Sequence, residues 1–232
     1  MRLGRFALVL LAALSFAPHS AAAKVASIGW DDLLPAAYGL LETEAEGLQA
    51  RLDALPEGSQ DAFRMLSDQN ALKRQLASGE LRREFLSADD LALLETDYRT
   101  TFPEAAAAAD RVDRMAGEVA ILDKQTNPEL DGKMIRMPGY VLPLEFDGAK
   151  VTEFLLVPFV GACIHTPPPP PNQMAHAHYA PGFESQGVFT PVYITGRLSA
   201  VDATVNLSLV DGQSPVATGY RLDVTVTEPY KE

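Results

Sequence analysis

The chain has 232 residues, of which 47% are hydrophobic and 22% are charged, and its formal net charge is −12. This length suits one large domain or two small ones. The excess of acidic residues argues against a nucleic-acid partner, because affinity for nucleic acid depends on cations that neutralise phosphates.

Residues 1–23 have the layout of a cleavable signal peptide. Two arginines precede an uncharged apolar run over residues 6–16, and Ala21 and Ala23 supply small residues for cleavage. The apolar run is shorter than the roughly 20 residues that a membrane-spanning helix needs. We therefore predict a periplasmic mature chain, residues 24–232, with net charge −14 and no membrane insertion after cleavage.

Residues 24–116 are predicted to form a helical region. Apolar residues recur there at helical spacing, and charged or capping residues precede several of the stripes. The expected helices are marked by stripes over residues 30–41, 48–55 and 63–76, by a capping box at Ser87 and Asp90, and by Pro103 in a first turn.

Residues 117–232 are predicted to form a β region. Short runs of β-forming residues alternate there with turn signals such as Asp147-Gly148 and Asp211-Gly212. The pattern predicts an α+β protein whose C-terminal part is a small antiparallel barrel or sandwich. Strands are expected over residues 119–122, 134–144, 151–160, 191–198, 204–210 and 219–226.

The residues with the strongest affinity for metals are gathered in one segment. Cys163 is the only cysteine, and His165, His176 and His178 are the three histidines of the predicted mature chain. Residues two apart in a strand face the same side, so each Cys/His or His/His pair would project together. The prolines at 167–171 favour a stiff polyproline spacer between the pairs. One sulfur and three nitrogens are a plausible tetrahedral zinc set, which copper could also accept.

A metal-free alternative belongs to a different class of function. The proline run and aromatic residues could dock another periplasmic protein or a transporter subunit, which would make the chain an interaction module. The candidate aromatics are Tyr140, Phe159, Tyr179 and Phe183, of which Tyr140 and Phe159 are the ones we expect in the β core.

A thiol enzyme is the third possibility. Cys163 could act as a nucleophile with His165 or His176 as base, and Asp147, Glu153 and Glu184 are candidate orienting acids without a recognisable motif. The sequence has no glycine-rich phosphate loop and no serine elbow. We therefore expect that the protein is not an enzyme.

Residues 127–173 carry a specific pattern. Asn-Pro-Glu-Leu-Asp-Gly-Lys at 127–133 leads into a strand-like run, and Gly-Ala-Cys-Ile-His at 161–165 is followed by prolines that close in Asn172-Gln173. This pattern closely resembles a bacterial exported family catalogued as domain of unknown function 3299.

The resemblance implies a secreted or periplasmic protein with a compact β domain like an oligonucleotide/oligosaccharide-binding (OB) barrel. It also implies genes near ABC-type inner-membrane transporters in operons linked to metal limitation. The family core carries over Cys163, His165, Asn172 and Gln173. The resulting hypothesis is a periplasmic accessory protein that binds zinc, or copper, through Cys163, His165, His176 and His178 and works with such a transporter.

Overall fold

The computed structural model describes residues 24–162, 168–209 and 212–230, so the predicted signal peptide lies outside the described residues. It confirms an α+β protein in which helices precede most of a six-stranded sheet. The helices are α1 (Ala37–Asp53), α2 (Glu57–Ser78), α3 (Ala88–Glu95), α4 (Tyr98–Thr101) and α5 (Pro103–Leu122). The strands are β1 (Ala26–Ser27), β2 (Met134–Asp147), β3 (Lys150–Val157), β4 (Ala175–Glu184), β5 (Thr190–Leu209) and β6 (Gly212–Pro229).

Local signals fixed several helix ends. The Ser87 side chain accepts a hydrogen bond from the Asp90 backbone N–H at 3.1 Å, and the Ser87 backbone N–H donates to the Asp90 carboxylate at 2.9 Å. This confirms the predicted capping box at the start of α3. Pro103 occupies the first turn of α5, where its missing N–H has no intrahelical partner to lose.

Two predicted elements are wrong. Residues 30–41 do not form one helix, because Leu34 precedes a proline and adopts an extended conformation, which separates a 3-10 turn at Asp31–Leu33 from α1. The predicted strand at 119–122 is the last turn of α5, where Asp123 N–H donates to the Val119 carbonyl at 2.8 Å. Continued helical hydrogen bonding outweighs the β preference of so short a run.

The helical region has a core of small side chains. Ala62 and Leu66 of α2 pack against three buried alanines of α5, at 105, 106 and 109. A polar network lies beside this core, in which Arg99 donates to both carboxylate oxygens of Asp110 at 2.8 and 2.9 Å and to Asn70 Oδ1 at 2.8 Å. The hydrogen-bonded guanidinium lowers the pKa of the Asp110 carboxyl.

The strands follow the order β1-β2-β3-β4-β6-β5, and β2 also pairs with β5. The β1–β2 and β4–β6 pairs are parallel, and the remaining pairs are antiparallel. The predicted turn at Asp147-Gly148 is confirmed, with Asp147 opposite Lys150 and Gly148 at φ 60°. The predicted strands at 191–198 and 204–210 are one strand, β5, with a register shift between Ala200 and Ala203. Strand β1 was not predicted, and of β4 only the shared face of His176 and His178 was.

The first core cluster lies on one side of the sheet. Phe154, Ile135 and Leu222 are fully buried in it, and Leu33 from the segment before α1 packs there as well. Tyr220, also in this cluster, donates its hydroxyl proton to the Leu33 carbonyl at 2.6 Å and accepts from the Asn127 N–H at 2.5 Å. Burial raises the pKa of the Tyr220 hydroxyl. The chain before α1 and the chain after α5 are therefore both tied to the sheet.

The second core cluster contains side chains from the other side of β2 and β3. Leu142, Leu155 and Val157 meet Met174, together with Leu207 of β5. Among the described residues, no helix is long and apolar enough to cross a membrane.

The predicted core positions of the aromatic residues are partly wrong. Phe159 is 44% exposed, because the strand ends before it at Val157, whereas Tyr140 packs against the second core cluster. Tyr179 and Phe183 pack against the first core cluster instead.

Candidate functional site

The site predicted from sequence includes two histidines that the structure describes, and both lie on β4. His176 is the Cα partner of Leu155 and His178 is the Cα partner of Glu153, on the adjacent strand β3. Because the two histidines are two residues apart on a strand, they face the same side of the sheet. His176 Nε2 lies 2.5 Å from Glu153 Oε1, and His178 is exposed. The described part of the site is therefore a His–Glu pair with a second imidazole beside it.

Cys163 and His165 lie outside the described residues. Ala162, the last described residue before them, is fully buried in the second core cluster, which also contains Met174. Met174 is two positions before His176 along the chain. Ala162 and Met174, the residue directly before β4, therefore pack in the same cluster.

Within the described ranges, 24–162, 168–209 and 212–230, no group of three or more His, Cys, Asp or Glu side chains is placed to hold a metal ion. His176 and Glu153 contribute a pair, and His178 points to solvent beside it. Cys163 and His165 are not among these residues, so the four-ligand site stays a prediction.

Asn172 and Gln173, which close the proline run, have partners that hold the fold together. The Asn172 side-chain amide donates to the carbonyls of Leu122 and Gln125 at 2.9 and 3.0 Å, where α5 ends. Gln173 Nε2 donates to the Trp30 carbonyl at 3.0 Å. These bonds add side-chain donors to backbone carbonyls at and after the end of α5 and in the chain before α1. The two residues fix the end of the proline run against α5 and the chain before α1.

Tyr38 of α1 adds a further contact at this junction. Its hydroxyl donates to the Asp123 carboxylate, directly after α5. Burial, together with this hydrogen bond and the negative charge of Asp123, raises the pKa of Tyr38 to about 12. The hydroxyl therefore stays protonated and available as a donor across the physiological pH range.

Glu153 is the functional neighbour that sequence analysis did not place. It was one of three acids that could orient a histidine, and nothing in the spacing preferred it over Asp147 or Glu184. Asp147 and Glu184 are the Cα partners of Lys150, at the hairpin end of β3. Of the three acids, Glu153 is the one whose carboxylate contacts His176. The available signal was a lone acidic residue in an otherwise apolar stretch of β3, but the register with β4 was needed to interpret it.

The fold and this face together define an α+β protein with a histidine–carboxylate pair across strands β4 and β3 of its sheet. A family model described as "Protein of unknown function (DUF3299)" matches residues 30–229. The chain belongs to this family.

A solved structure provides one further comparison. The chain is similar to a DUF3299 family protein from Pseudomonas aeruginosa PAO1, with 25% sequence identity and a TM-score of 0.46. The match covers 90% of this chain and 98% of that one. A search of curated proteins found no match.

Proposed function

We propose that the protein is a periplasmic accessory protein that binds a metal ion, with zinc preferred and copper possible, and that works with an ABC-type transporter. Cys163, His165, His176 and His178 would be the ligands. The observation that carries the proposal is the contact of His176 Nε2 with Glu153 Oε1 at 2.5 Å. A ligating histidine characteristically shares its other ring nitrogen with a carboxylate, which fixes the orientation of the imidazole.

The residues present fit a bound metal ion in three respects. Glu153 would hold His176 through Nε2 and leave Nδ1 for the cation. His178 lies on the same strand face and is accessible. Ala162 and Met174 belong to one cluster, so the chain enters the segment with Cys163 and His165 close to the start of β4. A thiolate with imidazoles is a donor set that zinc accepts in tetrahedral geometry.

The proposal also concerns the closure of the sheet. We infer that β2-β3-β4-β6-β5 close into an OB-like barrel. The additional β2–β5 pairing and the parallel β4–β6 pair support closure, because each of the five strands then has a neighbour on both sides. In this arrangement the histidine-bearing strand is held between β3 and β6, so His176 and His178 would stand on a rigid element.

Metal analysis of the mature chain, residues 24–232, purified without chelator tests the proposal. We expect about one zinc per chain after zinc is added and excess is removed. Cys163→Ser and His176→Asn should each weaken zinc affinity by at least tenfold, and Glu153→Gln by about 10- to 100-fold. Glu129→Gln, a change of an exposed acid in the 3-10 turn Pro128–Leu130, is the matched control and should retain wild-type affinity. A stoichiometry near zero in the presence of zinc would refute the proposal.

A second candidate function is a metal-free interaction module that docks through the proline-rich loop. The observation in its favour is that Phe159 and Val160, which precede the loop, are 44% and 61% exposed, and that Pro168 within the proline run is exposed. Capture of the transporter's periplasmic components by the wild-type chain should then fail when Pro168 and Phe159 are replaced by serine, with zinc binding unchanged. Unchanged capture would count against docking through this loop.

The same His176–Glu153 pair would also serve a thiol enzyme as base and orienting acid. Alkylation of Cys163 separates this third possibility from metal binding. A metal ligand should be labelled slowly until zinc is removed, whereas a catalytic thiolate should be labelled rapidly whether or not zinc is present.

A further inference from the structure

A second surface, where β2, β5 and the end of β6 meet, concentrates aromatic and proline side chains. We call it the aromatic–proline face and define it by Trp30, Pro138, Tyr140, Pro191, Tyr193 and Tyr230. Across β2 and β5, Pro138 is the Cα partner of Tyr193, and Tyr140 is the partner of Pro191. The Tyr230 N–H donates to the Pro191 carbonyl at 3.2 Å, which places the end of β6 beside them. Strand alternation puts Pro138, Tyr140, Pro191 and Tyr193 on one side of their strands, because Met137 and Val192 are buried in the first core cluster. Trp30 packs against that cluster and borders the face from the other side of β2.

The rings of this face are held in place before any ligand arrives. Tyr193 and Tyr230 are stacked with their centroids 5.1 Å apart. The Arg136 guanidinium lies 3.8 Å from the centroid of Tyr193 and donates to the Glu228 carboxylate at 3.1 Å. Fixed rings lose little conformational entropy on binding, so this surface is preorganised to receive a partner.

Gly139 is required for the position of Trp30. A Cβ at residue 139 would lie 2.7 Å from the Leu156 side chain and 3.1 Å from the Trp30 ring. Only a residue without a side chain therefore lets the indole lie so close to β2. Trp30, the only tryptophan of the chain, forms one wall of the face.

Two shallow cavities lie on either side of Tyr230. The first, about 170 Å³, is lined by Trp30, Tyr140 and three prolines, and the second, about 320 Å³, extends from Tyr230 to Phe183 and Glu184. Both cavities are also lined by Pro191. Adjacent cavities that share a wall suit an extended ligand that places successive groups in each, rather than a compact one.

We propose that the aromatic–proline face binds a proline-rich peptide in the polyproline II conformation, with a basic residue beside the prolines. Grooves lined by aromatic rings recognise such peptides, whose preformed helix loses little entropy on binding. The charge of the surface selects the basic residue, since Glu184 lines the second cavity on a chain whose net charge is −12. Neither histidine of β4 lines the two cavities, so the inference is independent of metal binding.

The fluorescence of Trp30 tests the proposal with the mature chain. The probe is a decaproline peptide that ends in two arginines, and the comparison peptides are decaproline with two glutamates and a Gly/Ser peptide with two arginines. We expect a saturable change in Trp30 emission with the arginine–proline peptide, weaker binding of the glutamate form, and no response to the Gly/Ser peptide. An equal response to all three peptides, or none up to millimolar concentration, would overturn the proposal.

Three variants locate the binding. Tyr230→Ala should raise the dissociation constant about fivefold or more, because it removes the wall shared by both cavities. Glu184→Lys, at an exposed position that places no demand on the core, should reduce the preference for the arginine form. Phe146→Ala is the control, because this aromatic is 61% exposed on β2 but does not line either cavity. Binding that is unaffected by both of the first two variants, or a Trp30 response only to soluble oligosaccharides, would contradict the assignment.

Discussion

The helical region and the sheet region of this protein are stabilised in different ways. The two core clusters of the sheet bury large side chains, among them Phe154 and Tyr220. The buried residues of the helical core are mostly alanine, with partly buried aromatic side chains and the Arg99–Asp110 network around them. Burial of apolar area scales with side-chain size, so the sheet should depend on packing and the helices on caps and polar contacts. Stability should therefore respond to different kinds of mutation in the two regions.

The largest effect is expected in the first core cluster. Phe154 is fully buried and meets Phe183 edge to face, with centroids 5.6 Å apart. Phe154→Ala should lower the free energy of unfolding by about 3–5 kcal/mol, because it removes buried area and leaves a cavity. Urea unfolding followed by Trp30 fluorescence measures the change. The exposed control Phe146→Ala should stay within about 0.5 kcal/mol, and a similar loss in both variants would remove the distinction between buried and exposed sites.

The junction between the two regions should give the next largest effect. Tyr220→Phe keeps the ring but leaves the Asn127 N–H and the Leu33 carbonyl without their partner. We expect a loss of about 2–3 kcal/mol, the cost of leaving buried polar groups unsatisfied. Tyr179→Phe is the matched control, because the Tyr179 hydroxyl makes no hydrogen bond within the described part of the chain. Equal midpoints in urea for the two variants would contradict the role of Tyr220 at the junction.

A helix cap in the helical region should contribute less. Ser87→Ala removes both the side-chain acceptor for the Asp90 N–H and the donor to its carboxylate, with an expected loss of about 1 kcal/mol. Far-UV circular dichroism during urea unfolding measures it. Thr43→Ala, a change in the middle of α1 where alanine is the better helix former, should be neutral or slightly stabilising. A neutral Ser87→Ala would show that the cap does not limit the stability of α3.

The smallest effect concerns acid stability. The pKa of Asp110 is lowered by hydrogen bonding to Arg99, so its contribution is present above the ordinary aspartate pKa of about 4 and is lost as pH falls through the lower native value. Asp110→Asn should therefore reduce the loss of stability that the wild type shows below about pH 4. The difference should be less than about 1 kcal/mol, because the Arg99–Asp110 pair is exposed to solvent. Urea midpoints measured as a function of pH test this. Asp61→Asn, which breaks only an exposed pair with Arg64, should keep the wild-type profile.

The features that sequence predicted correctly depend on neighbouring residues. The capping box at Ser87, the first-turn Pro103 and the Asp147-Gly148 hairpin turn each follow from a few adjacent side chains. The features that the sequence did not predict depend on contacts between residues far apart in the chain. Strand β1 exists because it pairs with residues 135–136, and the chain before α1 packs on the sheet rather than continuing a helix.

The candidate site likewise combines features that the sequence predicted with features that it did not. The clustering of Cys163, His165, His176 and His178 was visible in the sequence, and so was the shared face of the last two. The partner of His176 was not predictable, because Glu153 reaches it only through the register of β3 with β4. The aromatic–proline face was also hidden, since Trp30, Tyr193 and Tyr230 come together only through three strands that are far apart in sequence.

Anomalous diffraction at the zinc edge, from crystals of the mature chain grown with zinc, tests the central claim most directly. The account predicts one strong peak at the face of β4, about 2.3 Å from the Cys163 sulfur and about 2.0–2.1 Å from imidazole nitrogens that include one of His176. A map without a peak on that face, or with zinc held only by scattered surface carboxylates, would contradict it.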